Sequence, residues 1–270
     1  MSFMLSDSFK ITLEVVPPAG HDSAPLLSRI NAIAQLPFDG FSVASNPVAK
    51  PRMSALAFTN LLRETTGKPA ILHFTVRDHN RIGLQSEFWG AGALGIDTVM
   101  AVTGDPSVAD PDHPATTVSD MTVFQLIQMA GASDLTCGAV LDFRPESDGL
   151  AHELLRVEKK VAAGAKFIVT QPVYDEATAR RIKEGLARIR VPVILGILPL
   201  LSVRHARFLH DRVAGIAVPA PLMAAMESSA DPVRTGIKNS RDMLALARTF
   251  FSGACIMPPF DRFDIMAEIL

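Results

Sequence analysis

Eight short apolar runs, separated by longer amphipathic or polar stretches, recur along this chain and leave few folds open to it. They lie at residues 9–16 (FKITLEVV), 39–45 (DGFSVAS), 69–76 (PAILHFTV), 97–103 (DTVMAVT), 135–142 (LTCGAVLD), 166–171 (KFIVTQ), 191–197 (VPVILGI) and 253–257 (GACIM). Several are apolar almost throughout, which suits a parallel strand covered on both faces. The stretches between them carry helical periodicity. Over 150–163 (LAHELLRVEKKVAA), Leu154, Leu155, Val157 and Val161 fall on one side and charged residues on the other. Helix stops are expected at GAGALG, 90–95, and AAGAK, 162–166, where glycine precedes the next run. The last interval, 202–251, holds a helix, the apolar piece GIAVP and two more helical segments. Eight successive βα units predict a single-domain (β/α)8 TIM barrel, an α/β fold, over residues 1–270. A doubly wound open sheet is the alternative, because pattern alone does not show closure.

Composition narrows the function classes. The 270 residues, 48% of them hydrophobic, suffice for one large core, and no linker or low-complexity tract divides them. A net charge of -2 and dispersed Lys and Arg argue against nucleic-acid binding. Cys137 and Cys255 sit far apart in apolar stretches, so buried structural thiols in a reducing compartment are expected rather than a disulfide or thiolate site. MSFMLSDSFK lacks the features of a signal peptide, and no apolar run approaches the ~18 residues of a membrane span, so a cytoplasmic protein is expected. The seven histidines show no ligand-like spacing, hence no metal is expected. P-loop, HExxH and G-x-S-x-G motifs are absent, and neither a dinucleotide-binding unit nor a nucleophile-elbow hydrolase is supported.

In a barrel, chemistry collects where strands end and βα loops begin. Those positions read Glu14, Ser45 with Asn46, Thr75 with Arg77 and Asp78, Thr103 with Asp105, Asp142 with Arg144, Thr170 with Gln171, and a terminal MPPFDR carrying Asp261 and Arg262. Glu14 is the telling member, an acid inside the apolar run TLEVVPP, where an unpaired charge is costly. Either it pairs with Arg77, Arg144 or Lys166, or it is a carboxyl of raised pKa available as a general acid. His73 reads as a core histidine or a contact to a ring system, and Asp78 as an N-cap for the helix after the third run. Gln171 either caps a backbone group or offers donor and acceptor to an amide-like heterocycle. Gly104 permits positive φ in AVTGDPS, which explains its turn but not Asp105.

The segments LEVVPP, VASNPVAKPRMS, ILHFTVRDHNRIGLQSEFWGAGALGIDTVMAVTGDPS, GAKFIVTQPVYD, VPVILGILPLLSVRHARFLH, GIAVPAPLM and GACIMPPFDRF, in this order, resemble the methylenetetrahydrofolate reductase family. The resemblance implies a flavin-containing barrel that interconverts 5,10-methylenetetrahydrofolate and 5-methyltetrahydrofolate in one-carbon metabolism. It implies FAD, with FMN as the alternative, NADH, NADPH or a partner protein as the source of electrons, and a methyltransferase or redox protein as a partner. A homo-oligomer is implied as well. The family's acid falls on Glu14, its flavin-tuning aspartate on Asp105 and its pterin-binding glutamine on Gln171. Flavin contacts fall on His73, Thr103, Gly104, Arg144, Glu153, Arg156 and Lys160. This chain departs from the pattern in carrying Ala44 and Ser45 where threonine and aspartate are more frequent, Val140 for a tyrosine, Arg144 for a histidine and Val203 for an aromatic residue. A folate-binding barrel that transfers a methyl group without redox chemistry, and a non-catalytic subunit of a methyltransferase or redox complex, are the alternative functions.

Overall fold

A computed structural model describes residues 2–105, 115–118, 120–142, 149–213 and 215–270. Its eight strands are β1 (Lys10–Val15), β2 (Gly40–Val43), β3 (Ala70–Thr75), β4 (Thr98–Val102), β5 (Thr136–Leu141), β6 (Phe167–Pro172), β7 (Val193–Ile197) and β8 (Gly253–Ile256). Each pairs in parallel with the next, and β8 pairs with β1 from Lys10–Gly253 to Leu13–Ile256. That last pairing decides for a closed barrel and against an open sheet, and it removes both exposed edges. Around it stand α1 (Ala24–Asn31), α2 (Ala55–Thr66), α3 (Arg81–Ala93), α4 (Val123–Ala132), α5 (Gly149–Ala162), α6 (Glu176–Gly185), α7 (Val203–Arg212), α8 (Ala220–Ser228), α9 (Pro232–Phe250) and the short α10 (Met266–Ile269). Among the described residues no helix is long and apolar enough to cross a membrane.

Strand alternation divides the buried side chains into two cores. Leu13, Val15, Val43, Leu72, Ala139 and Ile168 face outward against the helices. Ile71, Met100, Phe167, Val169, Ile194 and Cys255 fill the barrel interior. Phe167 fits there because β5 carries Gly138 beside it; a Cβ on Gly138 would lie 2.3 Å from the Phe167 ring. The N-terminal turn Phe3–Leu5 closes the lower end, placing Met4 in the interior cluster and bonding Ser2 Oγ to Thr98 Oγ1 at 2.7 Å. The lower half of the barrel is thus plugged with apolar groups. Polar groups are left to the upper mouth.

The structure differs from the sequence reading at several points. β2 ends at Val43, so Ala44 and Ser45 belong to the following loop. Asn80, not Asp78, caps α3, its side chain accepting from Gly83 N at 2.9 Å. By contrast, GAGALG stops α3 as expected, with Gly95 at φ +68°. Leu155 was expected on the inward face of α5 but is 59% exposed, because Lys160 is drawn inward by the carbonyl at the end of β5.

Candidate active site

Alternation along β1 sends Leu13 and Val15 outward, and Glu14 lines a cavity of about 320 Å³ at the upper mouth. The cavity also brings together His73, Thr103, Gly104, Asp105, Glu153, Arg156, Lys160 and Gln171. Of the positions expected from sequence, Arg144 alone lies outside the described residues.

Among the described residues Glu14 has no cationic partner. Arg77 is committed to Asp78, with Nη2 donating to Oδ2 at 2.8 Å, and Lys166 is exposed, which overturns those two ion-pair alternatives. Burial without compensation raises the Glu14 carboxyl to about 7. Directly across the β1–β2 ladder from it is Ser42, a buried residue that sequence reasoning missed; the signal was a lone hydroxyl in the apolar strand GFSV. Ser42 Oγ and His73 Nε2 lie 2.7 Å apart, and burial lowers the imidazole to about 4, so His73 is neutral at pH 7.

This neutral imidazole has a consequence for stability. Its folded pKa lies below the ordinary value of 6.5, so the unfolded chain binds the proton first as pH falls. Unfolding free energy is therefore expected to drop by about 2 kcal/mol between pH 6.5 and pH 5 from this residue. Urea titrations across that range check it: His73→Gln should flatten the slope, and an unchanged slope would refute the assignment.

On α5 the spacing 153, 156 and 160 turns three charged residues toward the cavity. Lys160 is buried, its Nζ donates to Val140 O at 2.6 Å, and burial lowers its pKa. Glu153 Oε1 lies 2.9 Å from Arg156 Nε, whereas Glu153 Oε2 is buried with no hydrogen-bond partner among the described residues and is 3.9 Å from Lys160 Nζ. Such an orphaned oxygen beside two cations fits a bound group that presents hydroxyls and anionic oxygens together.

The loops after β2, β3 and β4 are tied by Arg77. Its guanidinium donates to Asn46 O, Asp105 O and Asp78, while Asp78 also accepts from Thr75 Oγ1 and Asn46 Nδ2. These bonds hold the Asp78 carboxyl below its ordinary range. Asn46, Thr75, Arg77 and Asp78 thus form a scaffold. Gly104 adopts φ +87° where a Cβ would lie 3.0 Å from Arg77 Cβ, and this close turn carries Asp105 to the rim. There Asp105 Oδ2 accepts from Val48 N at 2.6 Å. Opposite, Thr170 Oγ1 donates to Gln171 O at 2.8 Å and accepts from Gly196 N at 2.9 Å. That irregularity in the β6–β7 ladder leaves the Gln171 side chain at the cavity, its amide free of hydrogen bonds among the described residues.

The model of the family described as methylenetetrahydrofolate reductase matches residues 2–249. The chain belongs to the methylenetetrahydrofolate reductase family. It is 24% identical over 233 residues to the 5,10-methylenetetrahydrofolate reductase of Escherichia coli K12, covering 83% of this chain and 76% of that protein. The Salmonella typhimurium LT2 enzyme of the same name is 25% identical over 218 residues, 78% of this chain and 71% of its own. In structure, the barrel is similar to a Clostridium thermocellum protein that binds two copies of 5-methyl-5,6,7,8-tetrahydrofolic acid, with a TM-score of 0.73 and 18% identity over 97% of this chain and 93% of the other. This chain is accordingly a methylenetetrahydrofolate reductase by family, and the family is a flavin-dependent one.

Proposed function

We propose that this barrel interconverts 5,10-methylenetetrahydrofolate and 5-methyltetrahydrofolate, with FAD held at the α5 side of the mouth and Glu14 as the general acid. The observation that carries the reading is Glu14 itself, a carboxyl at the cavity with no cationic partner among the described residues, whose pKa of about 7 leaves much of it protonated at neutral pH. Its proton opens the five-membered ring of the folate, and Gln171 fixes the pterin with its free amide. Lys160, Arg156 and Glu153 would hold the hydroxyl and phosphate oxygens of the flavin, while Thr103, Gly104 and His73 would line its ring. Bound flavin supplies the hydride in one direction and accepts it in the other. Asp105 places a carboxylate at the rim between the two ligands, where its charge favours a cationic folate over a neutral one.

The visible absorption spectrum, followed by anaerobic titration with NADH, NADPH and 5-methyltetrahydrofolate, tests the reading. A flavin band bleached by a nicotinamide and by 5-methyltetrahydrofolate is expected. A colourless protein that binds no added FAD or FMN yet binds 5-methyltetrahydrofolate would instead support folate binding without redox chemistry, a reading in keeping with the Clostridium thermocellum neighbour. Lys160→Met is expected to weaken FAD binding about tenfold or more, the size of one charge-assisted hydrogen bond. Fluorescence titration of the apoprotein measures it, and equal affinities would remove Lys160 from the cofactor site.

A further inference from the structure

Glu14 lines two clefts. Besides the cavity described above it borders a second one of about 500 Å³, walled by Pro17, Pro18, Leu198, Met257 and Phe260. The second cleft runs away from the α5 cluster toward α1 and the loops that follow β2 and β8. Its lining combines these apolar groups with the charged Asp22, Arg29, Arg52 and Asp261. Two arginines line it. Arg29 is already paired with Asp261 at 3.1 Å, whereas Arg52 has a buried Nε with no hydrogen-bond partner and no carboxylate within ion-pair distance among the described residues.

The loop that carries Arg52 is fixed in place. Arg52 N donates to Asn46 Oδ1 at 2.9 Å, Asn46 Nδ2 donates to Asp78, and Val48 N is held by Asp105. Asn46, Val48 and Ala49 all have positive φ, at 43°, 51° and 57°, and Val48 is β-branched, a residue that resists this conformation. A strained loop pinned at several points, ending in a cation with an unmatched donor, is a positioned anion receptor.

A folate is a long molecule with its reacting pterin at one end, an aromatic ring in the middle and a carboxylate-bearing glutamyl group at the other. On the reading that the pterin reacts at Glu14, we propose that the second cleft takes the rest of the substrate, with the aromatic ring against Pro17, Pro18 and Phe260 and a glutamyl carboxylate on the Arg52 guanidinium. Arg52 is then a specificity-determining residue, selecting folates that carry the glutamyl group.

The experiment compares 5-methyltetrahydrofolate with 5-methyltetrahydropteroate, which lacks that group, by calorimetry on the holoenzyme and on Arg52→Met and Arg52→Lys. The wild type should bind the folate about tenfold or more tightly than the pteroate. Arg52→Met should erase that preference and leave pteroate affinity unchanged, and Arg52→Lys should restore part of it. Equal affinity of the wild type for the two ligands overturns the proposal even if Arg52→Met does not fold, as does equal weakening of both ligands by Arg52→Met. A wild type that binds neither ligand overturns the folate reading as a whole; one that binds both alike overturns this inference alone.

Discussion

Glu14→Gln is expected to lower turnover of methylenetetrahydrofolate by at least about a hundredfold, the usual contribution of a general acid, while reduction of the bound flavin by its donor continues at nearly the wild-type rate. The amide keeps the shape of the carboxyl and cannot give up the proton. In the wild type the folate half-reaction should follow the protonated fraction of Glu14, level below about pH 7 and falling tenfold per unit above it. The same substitution separates catalysis from stability. A carboxyl raised from 4.5 to about 7 binds its proton more tightly in the folded than in the unfolded chain, so folding stability declines as pH rises through that window. The buried charge costs about 3 kcal/mol above pH 7. Glu14→Gln should therefore be more stable than the wild type at pH 8, and the gap should close below pH 4.5. Stopped-flow measurement of the two half-reactions, with denaturant titrations at pH 8 and pH 4.5, checks both parts. Equal loss of both half-reactions would dismiss the general-acid role.

Gly196→Ala should damage fold and site together. A Cβ at this position would fall 2.5 Å from Thr170 O and 2.9 Å from Gln171 O, and these are backbone atoms that cannot swing aside. β7 would have to separate from β6 where Gly196 N bonds Thr170 Oγ1, the contact that sets the irregularity before Gln171. A destabilisation of about 3 kcal/mol is expected from the overpacking, lowering Tm by several degrees in a chain of this size. Because Gln171 moves with the ladder, folate affinity should fall, while FAD affinity should be retained if, as proposed, the cofactor is held at α5. A variant that melts like the wild type and binds folate equally well would show that the two strands absorb the methyl group without shifting Gln171.

The barrel was legible because its cause is local and repeated. Each apolar run is long enough for one strand and each amphipathic stretch for one helix, and eight such units in a chain of this length have one economical closed arrangement. Glu14 was legible for the opposite reason, as a single carboxyl breaking an apolar pattern. The matching of segments to a family then marked Asp105, Gln171 and the α5 residues, and the cavity contains them. Ser42 escaped notice because one hydroxyl in a strand carries little signal until its neighbour across the ladder is known to be Glu14. Leu155 was misplaced because periodicity finds the apolar side of a helix and assumes that this side faces inward. In α5 the cavity at the end of β5 draws in Lys160 and Glu153 instead.

By itself the sequence determined the strand and helix segments, their order, the parallel barrel as the leading arrangement and the presence of an acid where an acid is costly, since all of these follow from periodicity and composition along the chain. Only the tertiary structure decided which groups meet across it. It closed β8 on β1, gave Arg77 to Asp78 rather than to Glu14, set the Ser42 and His73 side chains beside each other, and placed Glu14 at the border of two clefts. Those outcomes depend on contacts between residues tens to hundreds of positions apart, whose geometry is fixed by barrel closure and the stagger of the strands, and no local pattern encodes them.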